Sequence, residues 1–248
     1  MKISIVAGSH RQESECGRVA RYIEAVLQRI GADRTCLLSL SGNPLPLWNE
    51  GVWEDDPQWA ALWNPIAAEP AGSDRFVIIA PEWSGMVPAG LKNFFLLCGT
   101  DLLTHKPGMI VAVSASMGGA YTIVELRASS YKNTRLCYIP DHVIVRSVGR
   151  MLKGDQPADE HDASLRARIE YSLGLLLQCA KALRAVRASD AIDLKRFPCG
   201  MQPAQPVPAA LRRAIRPTSQ SPSGRGSAQI RILYHRACAA RRRNRGAA

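Results

Sequence analysis

The sequence predicts an α/β protein built on a five-stranded parallel sheet with helices on both faces. Three observations carry this. Five short apolar runs, rich in β-branched residues, recur between Ile3 and Val148. The stretches between them place apolar residues at helical spacing, and strands that alternate with helices imply parallel crossovers. Three loops rich in Gly, Pro and Ser follow strand ends, where parallel sheets carry their binding crevices.

Taken in order, Ile3 to Ala7 reads as a strand buried on both faces. Gly8 and Ser9 break it, and from about Glu15 a helix is marked by Val19, Ala20, Ile23, Val26, Leu27 and Ile30. Thr35 to Leu40 reads as the second strand. The stretch SGNPLPLWNEGVWEDDPQW is punctuated by Pro and Gly, so it reads as a loop. It leads into a helix over Pro57 to Ala68, with Pro57 placed as a first-turn proline. Trp48, Trp53, Trp59 and Trp63 gather here. Packing of loop and helix onto the sheet is the preferred reading; a subunit contact or a lid over a planar ligand is the alternative. Arg75 to Ala80 reads as the third strand, followed by a rigid loop from Pro81 to Gly90 and a helix from Leu91. Gly108 to Ser114 reads as the fourth strand, followed by the small-residue turn ASMGGAY and a helix over Tyr121 to Tyr131. His142 to Val148 reads as the fifth. After a polar loop, Gly154 to Asp162, an amphipathic helix is expected over Ala163 to Val186. All the strands are expected to be fully buried.

The net charge of +11 is unevenly placed. Residues 1–199 hold 22 Lys and Arg against 21 Asp and Glu, whereas 200–248 hold ten Arg and no acid. The folded part is expected over 1–190 and is nearly neutral. The tail, 200–248, is read as disordered, with short helices near Ala209 to Ile215 or Ile230 to Ala240. It is the only segment with a reading as a nucleic-acid or acidic-membrane arm, and no aromatics interleave with its arginines as in stacking platforms. The loss of every acid at Gly200 also resembles a changed reading frame. Seven scattered cysteines without a CxxC pair argue against a zinc site or a disulfide framework and point to a reducing cytoplasm. No signal peptide and no membrane span are expected.

The turn after the first strand is rich in anion-binding groups: Ser9 and Ser14 hydroxyls, the Arg11 fork, Gln12, and the amides and dipole at a helix start. It lacks GxxxxGK[ST], and it lacks GxGxxG with a later acid. Hydroxyls and one Arg suit a terminal phosphate monoester such as that of FMN. The alternative is a plain turn with Ser14 as helix N-cap and Arg11 in solvent. In a flavodoxin-type strand order, 2-1-3-4-5, this loop, Pro81 to Gly90, and Ala115 to Ala120 converge on one crevice.

Together these loops resemble the NADPH-dependent FMN reductase family, a flavodoxin-like group that includes chromate and quinone reductases. GSHRQES resembles its GSxRxxS phosphate turn, PEWSGMVPAGLKN its PEYNGSIPGxLKN flavin loop, and SASMGGA its third loop. The resemblance spans about 1–190 and implies a three-layer flavodoxin-like sandwich. It implies that Ser9, Arg11, Gln12 and Ser14 hold the FMN phosphate. Pro81, Glu82, Trp83, Ser84 and Gly85 would wrap the isoalloxazine, and Ser116, Met117, Gly118 and Gly119 its other edge. Trp83 and Ser84 depart from the usual Tyr and Asn. Cys16 and Gly17 stand where an Asn often helps at the phosphate, and Leu96 and Leu97 replace a common Asp-Trp.

The expected activity is transfer of a hydride from NADPH through FMN to a flavin, quinone, azo or metal-oxyanion acceptor. The alternative is a flavodoxin-like electron carrier or sensor without turnover. Amides near the pyrimidine edge of the ring would favour its reduced, anionic form. No proton-transfer residue and no metal ligand are assigned. His10 is read as solvent-facing, and Glu82 as either a flavin contact or the partner of a Lys or Arg. A homodimer or homotetramer is expected, because Phe94 to Leu97 run consecutively on one helix and so cover more than one face. The competing arrangement buries all four between sheet and tryptophan loop.

Overall fold

The computed structural model describes residues 1–197 except 33, 54, 55, 190, 191 and 195, and does not describe the side chains of 53, 100 and 101. The tail and its two expected short helices lie outside the described residues. The strands are β1 (Lys2–Ala7), β2 (Arg34–Ser39), β3 (Arg75–Pro81), β4 (Pro107–Val113) and β5 (Cys137–Val145). They pair in parallel in the order β2-β1-β3-β4-β5. This is the flavodoxin-like order expected from the sequence.

Side chains alternate between two core layers, as the two-residue strand period requires. Ile3, Ile5, Val77, Ile79, Met109 and Val111 face α1 (Glu15–Arg29) and α6 (Glu160–Arg187). Val6, Phe76, Ile78, Ala80, Ile110 and Ala112 face α2 (Pro57–Ala71), α3 (Ala89–Leu97), the short α4 (Thr100–Leu103) and α5 (Ala120–Ser129). β3 and β4 are buried at every position.

The outer strands differ from the expectation of full burial. β2 is only partly covered, and β5 alternates in its second half. β5 also begins at Cys137 instead of His142. Pro140 lies within it, and its missing N–H is tolerated on an exposed edge. A register irregularity between Gly108 and Ile110 accommodates the pairing there. The strand ends at Val145, before Ser147, which takes a φ of 46°. A short turn of helix, Glu50–Trp53, lies inside the stretch read as loop, and α4 lies between the expected third helix and fourth strand.

Trp59 is buried, and its indole N–H donates to Asn49 Oδ1 at 2.8 Å. Trp48 and Trp63 pack against the same core, Trp63 edge-on to Phe94. The packing reading therefore holds for these three, while the Trp53 side chain is outside the described set. Phe94, Phe95 and Leu97 are buried and Leu96 is exposed. The consecutive run thus serves mainly the monomer's own core, which removes most of the sequence argument for assembly.

At the amino ends of the strands, lysines close the carboxyl ends of helices. Lys2 Nζ donates to Glu69 O at 2.8 Å, and Lys106 Nζ to Ala71 O at 2.9 Å and Leu102 O at 2.8 Å. Cations there complement both the orphan carbonyls and the helix dipole.

α6 starts three residues before the expected Ala163, because Asp159 caps it by accepting from Asp162 N at 2.8 Å. Asp162 is fully buried and accepts from Leu152 N (2.8 Å), Ala158 N (3.1 Å) and Arg166 Nε (3.0 Å). From α1, Arg18 donates to the carbonyls of Val148 and Leu152. Together these bonds anchor the segment after β5. Burial pushes the Asp162 carboxyl up, but the two N–H donors and Arg166 outweigh it and hold the carboxyl below its ordinary range. A depressed carboxyl contributes stability that is complete above the ordinary range and is lost as pH falls through the folded-state value. Asp162→Asn should therefore be less stable at neutral pH and lose less stability on acidification. Urea midpoints measured from neutral pH down through the carboxylate range check this.

Candidate functional site

The strand order brings the carboxyl ends of β1, β3 and β4 side by side, and the loops that leave them are joined by main-chain bonds. Gly8 N donates to Ile79 O (2.8 Å), Glu82 N to Val113 O (2.9 Å), Ser114 N to Val145 O (2.9 Å) and Ser147 N to Ser116 O (2.9 Å). These bonds continue the sheet ladder past the strand ends.

In the first loop, Ser14 is the N-cap of α1, in an extended conformation, with Oγ accepting from Gly17 N at 3.3 Å. Ser9 is buried, and its Oγ accepts from Arg11 N at 3.4 Å. Both hydroxyls accept, so each retains its O–H to donate. Arg11 is exposed, and its guanidinium has no protein partner among the described residues. The N–H groups of Gln12, Glu13 and Ser14 likewise donate to no protein acceptor among the described residues. Ser41 Oγ donates to Gln12 O at 2.8 Å and braces the turn from β2's side. The features of the plain-cap reading are present, and so is a cluster of uncommitted donors at the start of a 15-residue helix.

His10 departs from the solvent-facing reading. Its ring meets Trp83 edge-on, with centroids 4.7 Å apart, and its Nδ1 is buried without a partner. The phosphate-type loop therefore touches the second loop through His10.

The second loop turns back on itself at Trp83 to Met86. Trp83 N donates to Met86 O (3.0 Å) and Met86 N to Trp83 O (2.9 Å). Ser84 and Gly85 between them have φ of 50° and 74°. Positive φ at both central residues is the type I′ hairpin geometry, which Asn-Gly suits best. Gly85 meets it without strain; Ser84 does not.

Two carboxylates clasp this loop to α5. Glu82 Oε2 accepts from Gly119 N at 2.8 Å and Thr122 N at 3.3 Å. In return, Glu125 on α5 accepts from Val87 N at 2.7 Å and pairs with Lys92 of α3. Burial pushes the Glu125 carboxyl up, but Lys92 and the Val87 amide outweigh it and hold it below its ordinary value. Glu82 has no Lys or Arg partner among the described residues, which corrects that alternative. It instead supplies the cap that α5 lacks, since Gly119 at its N-cap has no side chain. The Gly119 amide is consequently committed to Glu82, whereas those of Met117 and Gly118 have no protein acceptor among the described residues.

In the third loop, Ala115 to Met117 are exposed and Gly119 is buried. Gly118 lies against Glu82 so closely that an added Cβ would run into Oε1. From the end of β5, Arg146 Nε donates to Gly118 O at 3.3 Å. Sequence reasoning passed over Arg146, Glu125 and Thr122. Arg146 had a signal in its position at the carboxyl end of a strand; the two α5 residues had none, because their role depends on which loop packs on the helix.

The structure thus joins Ser9, Arg11, Gln12 and Ser14 to Trp83 through His10, and Pro81 to Gly85 to Ser116 to Gly119 through Glu82. Replacing Ser84 by Asn should relieve the left-handed strain and stabilise the fold by up to about 1 kcal/mol. The thermal midpoint of the protein should rise by about 2–4 °C; an unchanged or lower midpoint would count against the hairpin geometry.

Residues 1–149 match the NADPH-dependent FMN reductase family. A quinone reductase of Pseudomonas putida is 28% identical over 123 residues, which are 48% of this chain and 63% of that protein. The chain therefore spans less than two thirds of this relative's length. Among solved structures, an oxidoreductase from Corynebacterium diphtheriae superposes with a TM-score of 0.53 at 16% identity, over 73% of this chain and 97% of that one. The flavoenzyme NAD(P)H:(acceptor) oxidoreductase of Paracoccus denitrificans gives 0.52 at 19% identity, over 74% and 97%. At such identities the two structures speak for the fold alone. The family match covers more than half of the sequence, and the chain belongs to the NADPH-dependent FMN reductase family.

Proposed function

We propose that this chain is an FMN-dependent NAD(P)H oxidoreductase acting on a small-molecule acceptor of the flavin, quinone, azo or metal-oxyanion kind. The observation that carries the reading is the junction of three loops at the carboxyl ends of β1, β3 and β4. The donor set fits a flavin mononucleotide. Hydroxyl protons on Ser9 and Ser14, the Arg11 guanidinium and the amides of Gln12, Glu13 and Ser14, uncommitted among the described residues, suit a dianionic monoester. When bound, FMN supplies the two-electron chemistry; the protein supplies position and electrostatics.

In this reading Arg11 and the two serines anchor the phosphate and fix where the ring lies. The backbone of Pro81 to Gly85 and of Ser116 to Gly119 would hold the ring, and the amides of Met117 and Gly118, uncommitted among the described residues, would be available to its developing charge. Trp83, braced by His10, limits how far the second loop can move. No side chain is assigned a proton. Residues 1–190 form the reductase domain, and the tail 200–248 is an appendage not needed for turnover. The five described cysteines are free thiols, which supports a reducing cytoplasm.

Protein mixed with FMN should quench its fluorescence and oxidise NADPH when a quinone or free flavin is supplied. Absence of quenching overturns the reading, and quenching with a flat NADPH signal makes the protein a carrier. Arg11→Ala removes a charged phosphate contact and should weaken FMN binding by roughly 2–3 kcal/mol. An unchanged dissociation constant would remove Arg11 from the site.

A homodimer or homotetramer remains part of the proposal on narrower grounds than the sequence offered. Leu96 on α3 and Tyr121 and Val124 on α5 are each more than 60% exposed. Light scattering of the active protein should give two or four times the 27.1 kDa of one chain. A monomer mass would return these residues to an ordinary surface.

A further inference from the structure

Gly118 lies between two fixed charges of opposite sign. On one side is the Glu82 carboxylate, with Oε1 against Gly118 and Oε2 on the amides of Gly119 and Thr122. On the other is Arg146, donating from Nε to the Gly118 carbonyl at 3.3 Å. Neither charge is neutralised by an ion pair among the described residues.

The structural duties of both residues could be met without charge. A glutamine oxygen would accept from the α5 amides as a carboxylate does, since neutral caps serve helices about as well as charged ones. A neutral donor would reach the Gly118 carbonyl. What the charges add is a field at the third loop. Reduction of a flavin leaves the ring more negative, so a nearby anion disfavours the reduced form and a nearby cation favours it. Glu82 also sits on the positive end of the α5 dipole and cancels a field that would otherwise favour the reduced ring.

We propose that Glu82 and Arg146 set the midpoint potential of the bound flavin with opposed signs, Glu82 lowering it and Arg146 raising it. This rests on the FMN reading above. The two residues are positioning groups with an electrostatic role, not reactants: neither exchanges a proton or an electron.

The full chain is loaded with FMN, and two quantities are read for wild type, Glu82→Gln and Arg146→Gln. These are the dissociation constant, by fluorescence quenching, and the midpoint potential, by equilibration with a reference dye. Glu82→Gln should change the ratio of affinities for oxidised and reduced FMN about tenfold in favour of the reduced form. That is a shift of about +30 mV for a two-electron couple. Arg146→Gln should shift the potential downward by a similar amount. If either variant binds FMN with the wild-type potential, or if both shift the same way, the inference is overturned. Circular dichroism identifies a Glu82→Gln protein that fails to fold. In that event Arg146→Gln decides alone, and a potential that is unchanged or higher overturns the inference. A wild-type protein that binds no FMN overturns the functional reading itself, which is a distinct result.

Discussion

The central strands of this sheet are sealed on both faces, and the rest of the structure follows from that. β3 and β4 have no exposed position, and the inner residues of β1 are equally covered. A charged group in the middle of such a strand would have to be desolvated without compensation, and the one polar side chain inside β1, Ser4, is paired with Ser73 at 2.7 Å. Polar chemistry is therefore displaced to the strand ends. The two ends are not equivalent, because parallel crossovers place helix amino ends at one rim and helix carboxyl ends at the other. At the amino rim, Lys2 and Lys106 answer helix carbonyls. At the carboxyl rim, open amides and Arg11 leave a concentration of donors.

The donors are useful only if the loops that carry them keep their shape. Here the two carboxylates that link the second loop to α5 matter most. Glu82 reaches from loop to helix, and Glu125 from helix to loop, so each element closes the other's unsatisfied amides. An amide buried without an acceptor costs about as much as a lost hydrogen bond, so both contacts would be expensive to break. The segment after β5 is held by the same logic, through buried Asp162 and the Arg18 fork.

The sheet and its order were legible because burial on both faces leaves a plain apolar signal in each inner strand. β5 was misplaced because an edge strand obeys a looser rule: Pro140 reads as a break in a sequence and is tolerated at an edge. The loops were legible as glycine- and proline-rich interruptions, and their convergence followed from strand order. Their internal bonds were not. That Glu82 caps a helix 37 residues away depends on tertiary packing, and no local pattern announces it. His10 was misjudged for a similar reason, since only the fold brings Trp83 against it. Phe94 to Leu97 show the limit of reading a helix alone: an excess of apolar residues can be absorbed by neighbours on both sides.

The loops at the carboxyl ends of β1, β3 and β4 are held largely through main-chain amides and the carboxylates of Glu82 and Glu125. Met86, Ser116, Met117 and Tyr121 are exposed, and their side chains make no hydrogen bond or ion pair among the described residues. A changed side chain at any of these four positions therefore breaks none of the bonds that tie the second loop to α5. The surface beside these loops can thus change by single substitutions, none of which must first be rescued elsewhere in the fold.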